Sequence, residues 1–186
     1  MKRIVLFDFF GVISSEVAVV WLARFFDKET AARIKDRVMV RADLGDITME
    51  EAYAEFSALT GVSPLEIERE WLKLAKINPD AVRLVEEIGK THPVYLLSNA
   101  SAEFLSIILD KNNLNRLFKK VYISSELRIA KPDPEFFRTC ISDIGAEASE
   151  CVMIDDNPKN IAAAESVGIE GIVFTGSKAL RERLYK

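Results

Sequence analysis

The stretch RIVLFDFFGVI (residues 3–13) decides the fold. Apolar residues run unbroken from Ile4 to Phe7, Asp8 interrupts them, and more apolar residues follow. Such a run is typical of a central parallel strand buried on both faces. Because an isolated buried carboxylate is costly, we expect Asp8 at the strand's C-terminal tip, where open α/β sheets bind ligands. Gly11 lets the backbone turn sharply there. By itself the stretch is equally compatible with an Asp that only caps a turn.

The composition is that of an ordinary globular protein. The chain has 186 residues, of which 49% are hydrophobic and 29% are charged. This length accommodates one domain with a modest insertion. A formal net charge of -4 and a pI near 5.2 argue against a general binder of nucleic acid or of anionic membranes.

The cysteines and the N-terminal residues predict a cytoplasmic protein. Cys140 and Cys151 lack metal-ligand spacing and are expected to be free, buried thiols. The start Met1-Lys2-Arg3 superficially resembles a signal peptide, but Asp8 interrupts the apolar region and no small-residue cleavage site follows. No stretch is long enough to span a bilayer.

Residues 14–77, called here the helical insertion, show no β-like alternation. The pattern predicts helices over residues 16–26 and 29–43, a break at Gly45, a helix with a capping box at Thr48 and Glu51 that ends at Gly61, and a helix from Ser63 through Trp71. We therefore predict a small helical domain over residues 14–77. Residues 1–13 and 78–186 would form the second domain.

Strands and helices alternate after residue 77. The predicted strands cover residues 94–97, 121–123, 151–154 and 171–174. The predicted helices cover residues 78–90, 102–111, 133–144, 157–167 and 178–185. This alternation predicts an α/β fold with a doubly wound, Rossmann-like parallel sheet. Polar residues follow nearly every strand, so one edge of the sheet should collect the chemistry.

Three polar groups are expected beside Asp8 at that edge. Ser98-Asn99 leads into a helix start, where N–H groups favour an anion, although plain helix capping also explains the pair. Asp133 and Pro134 suit a helix start, which leaves Lys131 available to neutralise a phosphate.

The third group is the acidic pair Asp155-Asp156, which directly follows an apolar strand. Close carboxylates repel each other and attract a cation. Hard oxygen ligands beside an anion site indicate Mg²⁺. A solvated acidic turn is the alternative.

Taken together, these segments resemble the haloacid dehalogenase (HAD) superfamily over essentially the whole chain. Residues 7–12 (FDFFGV), 97–99 (LSN), 131–134 (KPDP) and 154–157 (IDDN) are similar to its four motifs in order. The helical insertion resembles the small cap of its first subfamily. The LSN and IDDN segments look most like the branch that holds α-glucose-1-phosphate phosphatases and the N-terminal phosphatase domain of epoxide hydrolases.

The resemblance implies a phosphatase of a small phosphorylated metabolite, with a sugar phosphate as one candidate. Asp8 would attack phosphorus and form an aspartyl phosphate that water hydrolyses. Mg²⁺ would be held by Asp8, the Phe10 carbonyl, and Asp155 or Asp156. Lys131 would assist catalysis. Ser98, Asn99 and Lys131 would bind the phosphoryl group, with Phe10 beside the substrate.

The chain departs from the family pattern at Phe10. Phosphatases of the superfamily usually carry an acid–base Asp there, and general acid–base catalysis typically contributes about 10²–10⁴-fold. His92 lies at the wrong end of its strand to replace it. Three alternatives stay open: a phosphatase that uses an easy leaving group or an acid from the insertion, a metal-independent 2-haloacid dehalogenase, and a weakly active phosphometabolite-binding protein.

The helical insertion is expected to select the substrate. Candidate side chains near its Gly45 break are Arg41, Asp43, Asp46 and Thr48. Trp21 and Trp71 lie in apolar helical stretches, which favours a role in the core over sugar stacking. The expected partner is the small substrate alone, without nucleic acid or membrane, and the protein is expected to be a monomer or a homodimer.

Overall fold

The structure is a computed structural model that describes residues 3–184, and a five-stranded parallel sheet lies at its centre. The strands are β1 (Ile4–Phe7), β2 (Val94–Ser98), β3 (Val121–Ile123), β4 (Cys151–Asp155) and β5 (Glu170–Val173). They lie in the order β3-β2-β1-β4-β5. Phe7, the last residue of β1, pairs with Leu96 on one side and with Ile154 on the other. Residues that follow β1, β2 and β4 are therefore neighbours at one edge, called here the carboxyl edge.

The described part of the chain contains ten α-helices. Four lie in the helical insertion: α1 (Ala18–Leu22), α2 (Lys28–Asp43), α3 (Met49–Thr60) and α4 (Pro64–Leu74). The others are α5 (Pro79–Gly89), α6 (Ala102–Lys111), α7 (Ser124–Leu127), α8 (Pro134–Ile144), α9 (Pro158–Ser166) and α10 (Ser177–Leu184). None of the helices within residues 3–184 combines the length and apolar character that crossing a bilayer requires.

The predicted α/β fold is confirmed, and so are several predicted helix ends. The Thr48 side chain accepts from the Glu51 N–H, and the Glu51 carboxylate accepts from the Thr48 N–H, which is the expected capping box. Gly61 ends α3 with φ +76°, a conformation that glycine adopts without strain. Ser63 caps α4 and Pro64 occupies its first turn.

Other predicted boundaries differ from the structure. α1 is shorter than the predicted helix over residues 16–26, because the chain leaves it in turns before Asp27 caps α2. The short α7, directly after β3, was not predicted. The last strand covers Glu170–Val173, one residue earlier than predicted. Tyr185, the predicted end of the last helix, lies outside the described residues. The division into two domains stays a prediction.

The two faces of β1 contribute to different parts of the core, as the two-residue period of a strand requires. Val5 and Phe7 belong to a cluster that includes Trp21 and Trp71 of the insertion. Leu6 belongs to a second cluster on the opposite face. The core prediction for Trp21 and Trp71 is confirmed, since both are at most 1% exposed. One continuous apolar cluster therefore joins the insertion to the sheet.

Candidate active site

The turn after β1 brings Asp8 into the sheet edge and then reverses the chain. The Asp8 N–H donates to the Ile154 carbonyl at 2.9 Å, which ties it to β4. The Phe9 carbonyl then accepts from the N–H groups of residues 12, 13 and 14. Asp8 is 7% exposed, so its carboxylate is nearly buried. A plain turn cap on the protein surface does not fit this position.

Gly11 is required in this turn for two physical reasons. Its φ is +84°, in the left-handed region that disfavours other residues. In addition, a Cβ atom at Gly11 would lie 2.3 Å from Asp156 Oδ2. The carboxylate of Asp156 therefore packs directly against the turn that carries Asp8.

Lys131 is the cation of this site. Its ammonium lies 2.8 Å from Asp8 Oδ1 and 2.7 Å from Asp155 Oδ2. It also donates to the Leu97 carbonyl at 2.9 Å. The Lys131 side chain is 1% exposed, so all three of its N–H groups are used inside the protein.

Asp155 and Asp156 have different surroundings although they are adjacent in sequence. Asp155 is fully buried and accepts hydrogen bonds from Lys131 Nζ, the Asn157 N–H and Asn160 Nδ2. Asp156 is half-buried, and within residues 3–184 no other residue donates a hydrogen bond to its carboxylate. Asp155 thus has most of its acceptor capacity filled, and Asp156 offers open carboxylate oxygens.

Asn160 is a site residue that sequence reasoning missed. Its amide nitrogen lies 3.1 Å from Asp155 Oδ1 and 3.0 Å from Asp155 Oδ2. The available signal was an Asn at the start of the predicted helix over residues 157–167, five residues after Asp155. Asn160 therefore fixes the carboxylate plane of Asp155.

The three aspartates form an acidic cluster. One carboxylate oxygen of each of Asp8, Asp155 and Asp156 lies within 4.8 Å of the other two. Three carboxylates around the single Lys131 ammonium leave a formal charge of −2. Oxygen ligands at this spacing with excess negative charge suit a hard divalent cation. The donor set therefore fits the magnesium ion that the sequence motifs imply.

The charges in the cluster shift one another's protonation. Burial raises the pKa of the Asp8 carboxyl, an effect that the Lys131 ammonium opposes and Asp155 reinforces. Burial by itself would lower the pKa of Lys131, but the carboxylates of Asp8 and Asp155 outweigh it and the pKa is raised. Burial and the charge of Asp155 also raise the pKa of Asp156. An added cation would favour the ionised forms of Asp8 and Asp156.

Ser98 is the last residue of β2, the strand next to β1, and Asn99 follows it and bonds to Lys131. Ser98 Oγ is buried, and it has no hydrogen-bond partner within the described residues. A buried hydroxyl without a partner is costly, which is consistent with a group that pairs with a bound anion. Asn99 donates to the Lys131 carbonyl at 2.7 Å and accepts from the Lys131 N–H at 2.9 Å. Asn99 thus fixes the main chain at Lys131 and retains one amide hydrogen for other contacts.

A cavity of 580 Å³ opens above the acidic cluster, between the sheet edge and the helical insertion. Asp8, Lys131 and Asp156 line its floor, and Phe10 lines its wall, stacked on Phe104 with 6.3 Å between ring centroids. The insertion contributes both charged and apolar residues to this cavity: Glu16, Val17, Ala18, Lys35, Asp36, Met39, Val40, Asp43 and Trp71.

The other candidates from the insertion have different positions. Asp43 lines the cavity. Arg41 pairs with Glu55, Asp46 pairs with Arg128, and Thr48 is used in its capping box. None of these three is among the residues that line this cavity, and the same holds for His92.

Comparison with known proteins identifies the family. A family model described as haloacid dehalogenase-like hydrolase matches residues 2–168. The chain belongs to the haloacid dehalogenase-like hydrolases. This membership confirms the resemblance that the four sequence motifs indicated at the level of the superfamily, and it makes the protein a HAD-like hydrolase.

Characterised relatives of this HAD-like hydrolase include fungal proteins. The sesquiterpene phosphatase astK of Aspergillus oryzae is 25% identical over 179 residues, which cover 94% of this chain and 87% of the relative. The drimenol cyclase drtB of Aspergillus calidoustus is 27% identical over 147 residues, which cover 75% of this chain. The matched region spans only 28% of that cyclase.

A solved HAD family enzyme from Bacteroides thetaiotaomicron has a similar structure. It is 25% identical with a TM-score of 0.77, and the match covers 92% of this chain and 93% of that one. That structure is a complex with magnesium and inorganic phosphate.

Proposed function

We propose that this HAD-like hydrolase is a Mg²⁺-dependent phosphatase of small phosphorylated metabolites, in which Asp8 is the nucleophile. The observation that carries the proposal is the cluster of Asp8, Asp155 and Asp156 with the buried Lys131 ammonium, at the sheet edge where the neighbouring strand β2 ends in the unpartnered hydroxyl of Ser98. The phosphatase among the relatives and the magnesium–phosphate complex of the Bacteroides enzyme support it.

Each residue has a role that follows from its surroundings. Asp8 reaches the cavity floor, and its carboxylate forms the bond to phosphorus. Lys131 holds the Asp8 oxygen and offsets the charge of the incoming phosphoryl group. Ser98 and the remaining amide hydrogen of Asn99 bind phosphoryl oxygens. Phe10 lies beside the organic part of the substrate.

Mg²⁺ would be held by Asp8, the Phe10 main-chain carbonyl and Asp156. When bound, it supplies positive charge between the nucleophile and the phosphate. Asp156 is favoured over Asp155 as the direct ligand because the oxygens of Asp155 already accept from Lys131, Asn157 and Asn160. Asp155 then acts through Lys131, which it positions.

The sugar phosphates are a reasonable first substrate class. The branch with glucose-1-phosphatases, which resembles this chain, also lacks the acid–base Asp at the position of Phe10. A 580 Å³ cavity with charged and apolar walls accommodates a ligand of that size.

A 2-haloacid dehalogenase is the second candidate, and Phe10 is the observation that favours it. Halide leaves without a proton, so that reaction needs no acid at this position. The cluster of Asp8, Asp155 and Asp156 opposes it, because the dehalogenase reaction uses no metal and accumulates no such negative charge.

Phosphate release provides the test. The purified protein is incubated with p-nitrophenyl phosphate, glucose 1-phosphate and glucose 6-phosphate, with Mg²⁺ or with EDTA. We expect release that requires Mg²⁺ and falls by at least about a thousandfold in Asp8→Asn, which lacks the nucleophile. Asp143→Asn, a surface acid paired with Lys120, is the control and should retain activity.

Three results would contradict the proposal. Undiminished Mg²⁺-dependent release by Asp8→Asn would exclude the nucleophile assignment. Chloride release from 2-chloropropionate in EDTA would favour the dehalogenase. Phosphate binding without any turnover would indicate a phosphometabolite-binding protein.

A further inference from the structure

The proposed phosphatase reaction needs a residue that donates a proton to the leaving group, and none of the residues assigned so far does this. Phe10 occupies the position of the usual acid, and its ring stacks on Phe104. The only histidine, His92, bonds to Thr91 and is absent from the cavity lining. Three carboxylates of the insertion, Glu16, Asp36 and Asp43, line the cavity together with Asp8. Asp36 is exposed to solvent, whereas Glu16 and Asp43 are partly buried.

We propose that Asp43, the last residue of α2, is the general acid and base of this active site, supplied by the helical insertion in place of Phe10. This inference rests on the proposed phosphatase function and adds a catalytic residue to it.

The main chain of Asp43 is held by a residue that follows strand β3 of the sheet. Ser124 Oγ donates to the Asp43 carbonyl at 2.5 Å and accepts from the Ala100 N–H at 3.0 Å. One buried hydroxyl therefore connects Asp43 to the residue that follows Ser98-Asn99. The next turn is held as well, because Arg128 bonds to the Gly45 carbonyl and to Asp46.

Gly45 allows this close docking. It has φ +73°, and a Cβ atom there would lie 2.7 Å from the Ser125 carbonyl oxygen. The chain after α2 therefore reaches the core backbone directly. Asp43 is thus held at the cavity by backbone contacts and not by its own carboxylate.

The Asp43 carboxylate itself is available for chemistry. Within residues 3–184 it makes no hydrogen bond or ion pair, although it is partly buried. A carboxylate at a helix C-terminus also faces the negative end of the helix dipole, which disfavours its ionised form. An acid that is partly buried without a partner and lies at a helix C-terminus destabilises the folded protein. Acids with perturbed protonation of this kind are concentrated at functional sites.

The protonation of Asp43 suits an acid that works near neutral pH. Burial raises its pKa to about 7, Lys35 opposes the rise, Glu16 adds to it, and Lys131 opposes it. The cavity that Asp43 lines holds seven other charged residues: Asp8, Glu16, Lys35, Asp36, Lys131, Asp156 and Lys159. A general acid or base is most effective when its pKa lies near the working pH.

Glu16 is less suited to the same role. Burial raises its pKa, and Asp156 and Asp155 add to that rise. Lys35 opposes the rise, and a cation bound at the acidic cluster would further favour the ionised form of Glu16. Asp43 shows no such influence from the three clustered aspartates.

The reaction balances with Asp43 in this role. Asp8 Oδ attacks phosphorus, the bond from phosphorus to the substrate oxygen breaks, and Asp43 donates its proton to that oxygen, which leaves as an alcohol. The ionised Asp43 then takes a proton from water as the water oxygen attacks the aspartyl phosphate. The bond between phosphorus and Asp8 breaks, which releases phosphate and restores protonated Asp43.

The experiment compares Asp43→Asn with the wild type on two substrates in Mg²⁺. Ethyl phosphate has a poor leaving group that needs a proton, and p-nitrophenyl phosphate has a good one that does not. We expect kcat/KM for ethyl phosphate to fall about 10²-fold or more, and kcat/KM for p-nitrophenyl phosphate to stay within about twofold. In the wild type, kcat/KM for ethyl phosphate should decrease as the pH rises through about 7, and Asp43→Asn should lack that decrease.

Matched variants separate catalysis from structure. Glu29→Gln removes an exposed carboxylate in the first turn of α2 that does not line the cavity, and it should leave kcat/KM for both substrates unchanged. Glu16→Gln should not discriminate between the substrates. Phe10→Asp in the Asp43→Asn background should recover ethyl phosphate hydrolysis. If Asp43→Asn is unstable, Asp43→Ser repeats the comparison.

Two kinds of result overturn the inference, and they are distinguishable. If the wild type hydrolyses neither phosphate in Mg²⁺, the proposed function fails and the role of Asp43 fails with it. If the wild type is active but Asp43→Asn lowers kcat/KM equally for both substrates, or for neither of them, only the acid–base role of Asp43 is excluded. A substrate-dependent loss in Glu16→Gln instead would assign the proton to Glu16.

Discussion

Replacing Lys131 by Met should destabilise the metal-free protein by about 3–5 kcal/mol. The ammonium of Lys131 lies 2.8 Å from Asp8 Oδ1, 2.7 Å from Asp155 Oδ2 and 2.9 Å from the Leu97 carbonyl. Met has a similar length and no charge, so the substitution leaves Asp8 and Asp155 buried without their cation. Removing one partner of a buried ion pair costs this much because the remaining charge is uncompensated.

Mg²⁺ should restore part of the lost stability. A ligand that binds only the native state stabilises it by RT ln(1 + [ligand]/Kd). The three carboxylates and the Lys131 ammonium together carry a formal charge of −2, and without Lys131 this charge becomes −3. The cluster should then attract a divalent cation more strongly. Added Mg²⁺ should therefore raise the free energy of unfolding more in Lys131→Met than in the wild type.

Urea unfolding followed by the fluorescence of Trp21 and Trp71 measures both effects. Each protein is unfolded at pH 7 in EDTA and in millimolar Mg²⁺. Lys120→Met is the matched control, because Lys120 pairs with Asp143 on the surface where the side chains are 53% and 49% exposed. An exposed pair of this kind contributes at most about 1 kcal/mol.

Equal losses in Lys131→Met and Lys120→Met without metal would refute this reasoning, since Lys131 would then not be compensating the buried acids. The same conclusion would follow if Mg²⁺ stabilised the wild type and Lys131→Met by the same amount.

Two other substitutions test the turn after β1 and the acid on α2. Gly11→Ala should lose most activity and Mg²⁺ affinity, because its Cβ would lie 2.3 Å from Asp156 Oδ2 at φ +84°; calorimetric Mg²⁺ titration equal to wild type would contradict this. Burial raises the pKa of Asp43 to about 7, so the wild type binds more protons when folded and loses stability as the pH rises from about 4 to 7. Asp43→Asn should therefore gain stability relative to wild type over that range in urea unfolding, and a constant difference would exclude the raised pKa.

The strand pattern and the turn residues were predictable because they depend on local physics. The apolar run before Asp8 predicted a buried parallel strand, and β1 is the central strand of the sheet. The capping residues Thr48, Ser63 and Asp133 each bond to a nearby N–H, as their sequence neighbours require. Helix caps and strand periodicity depend on a few adjacent residues, so sequence suffices for them.

The end of α1 and the short α7 were not predictable in the same way. Helix boundaries depend on packing as well as on propensity. The residues of α7 lie where Ser124 and Arg128 contact the insertion. That docking involves residues more than 80 positions apart, and no local pattern describes it.

The chemistry at the carboxyl edge follows mostly from the sequence. Parallel strands place their C-terminal residues together, so Asp8, Ser98 and Asp155 had to become neighbours once the sheet was assigned. The sequence alone left open which acid of the pair Asp155-Asp156 faces a cation. The structure distinguishes them, because Asn160 and Lys131 bind the carboxylate of Asp155 and not that of Asp156.

The sequence by itself determined that this chain forms a Rossmann-like sheet with a helical insertion and an acidic edge, because residue patterns and strand ends encode these features locally. Only the tertiary structure decided which residue of the insertion faces that edge. Asp43 and Asp46 differ little as sequence neighbours of Gly45, yet one lines the cavity and the other pairs with Arg128. The difference arises from how α2 packs against the core, which requires contacts between distant parts of the chain.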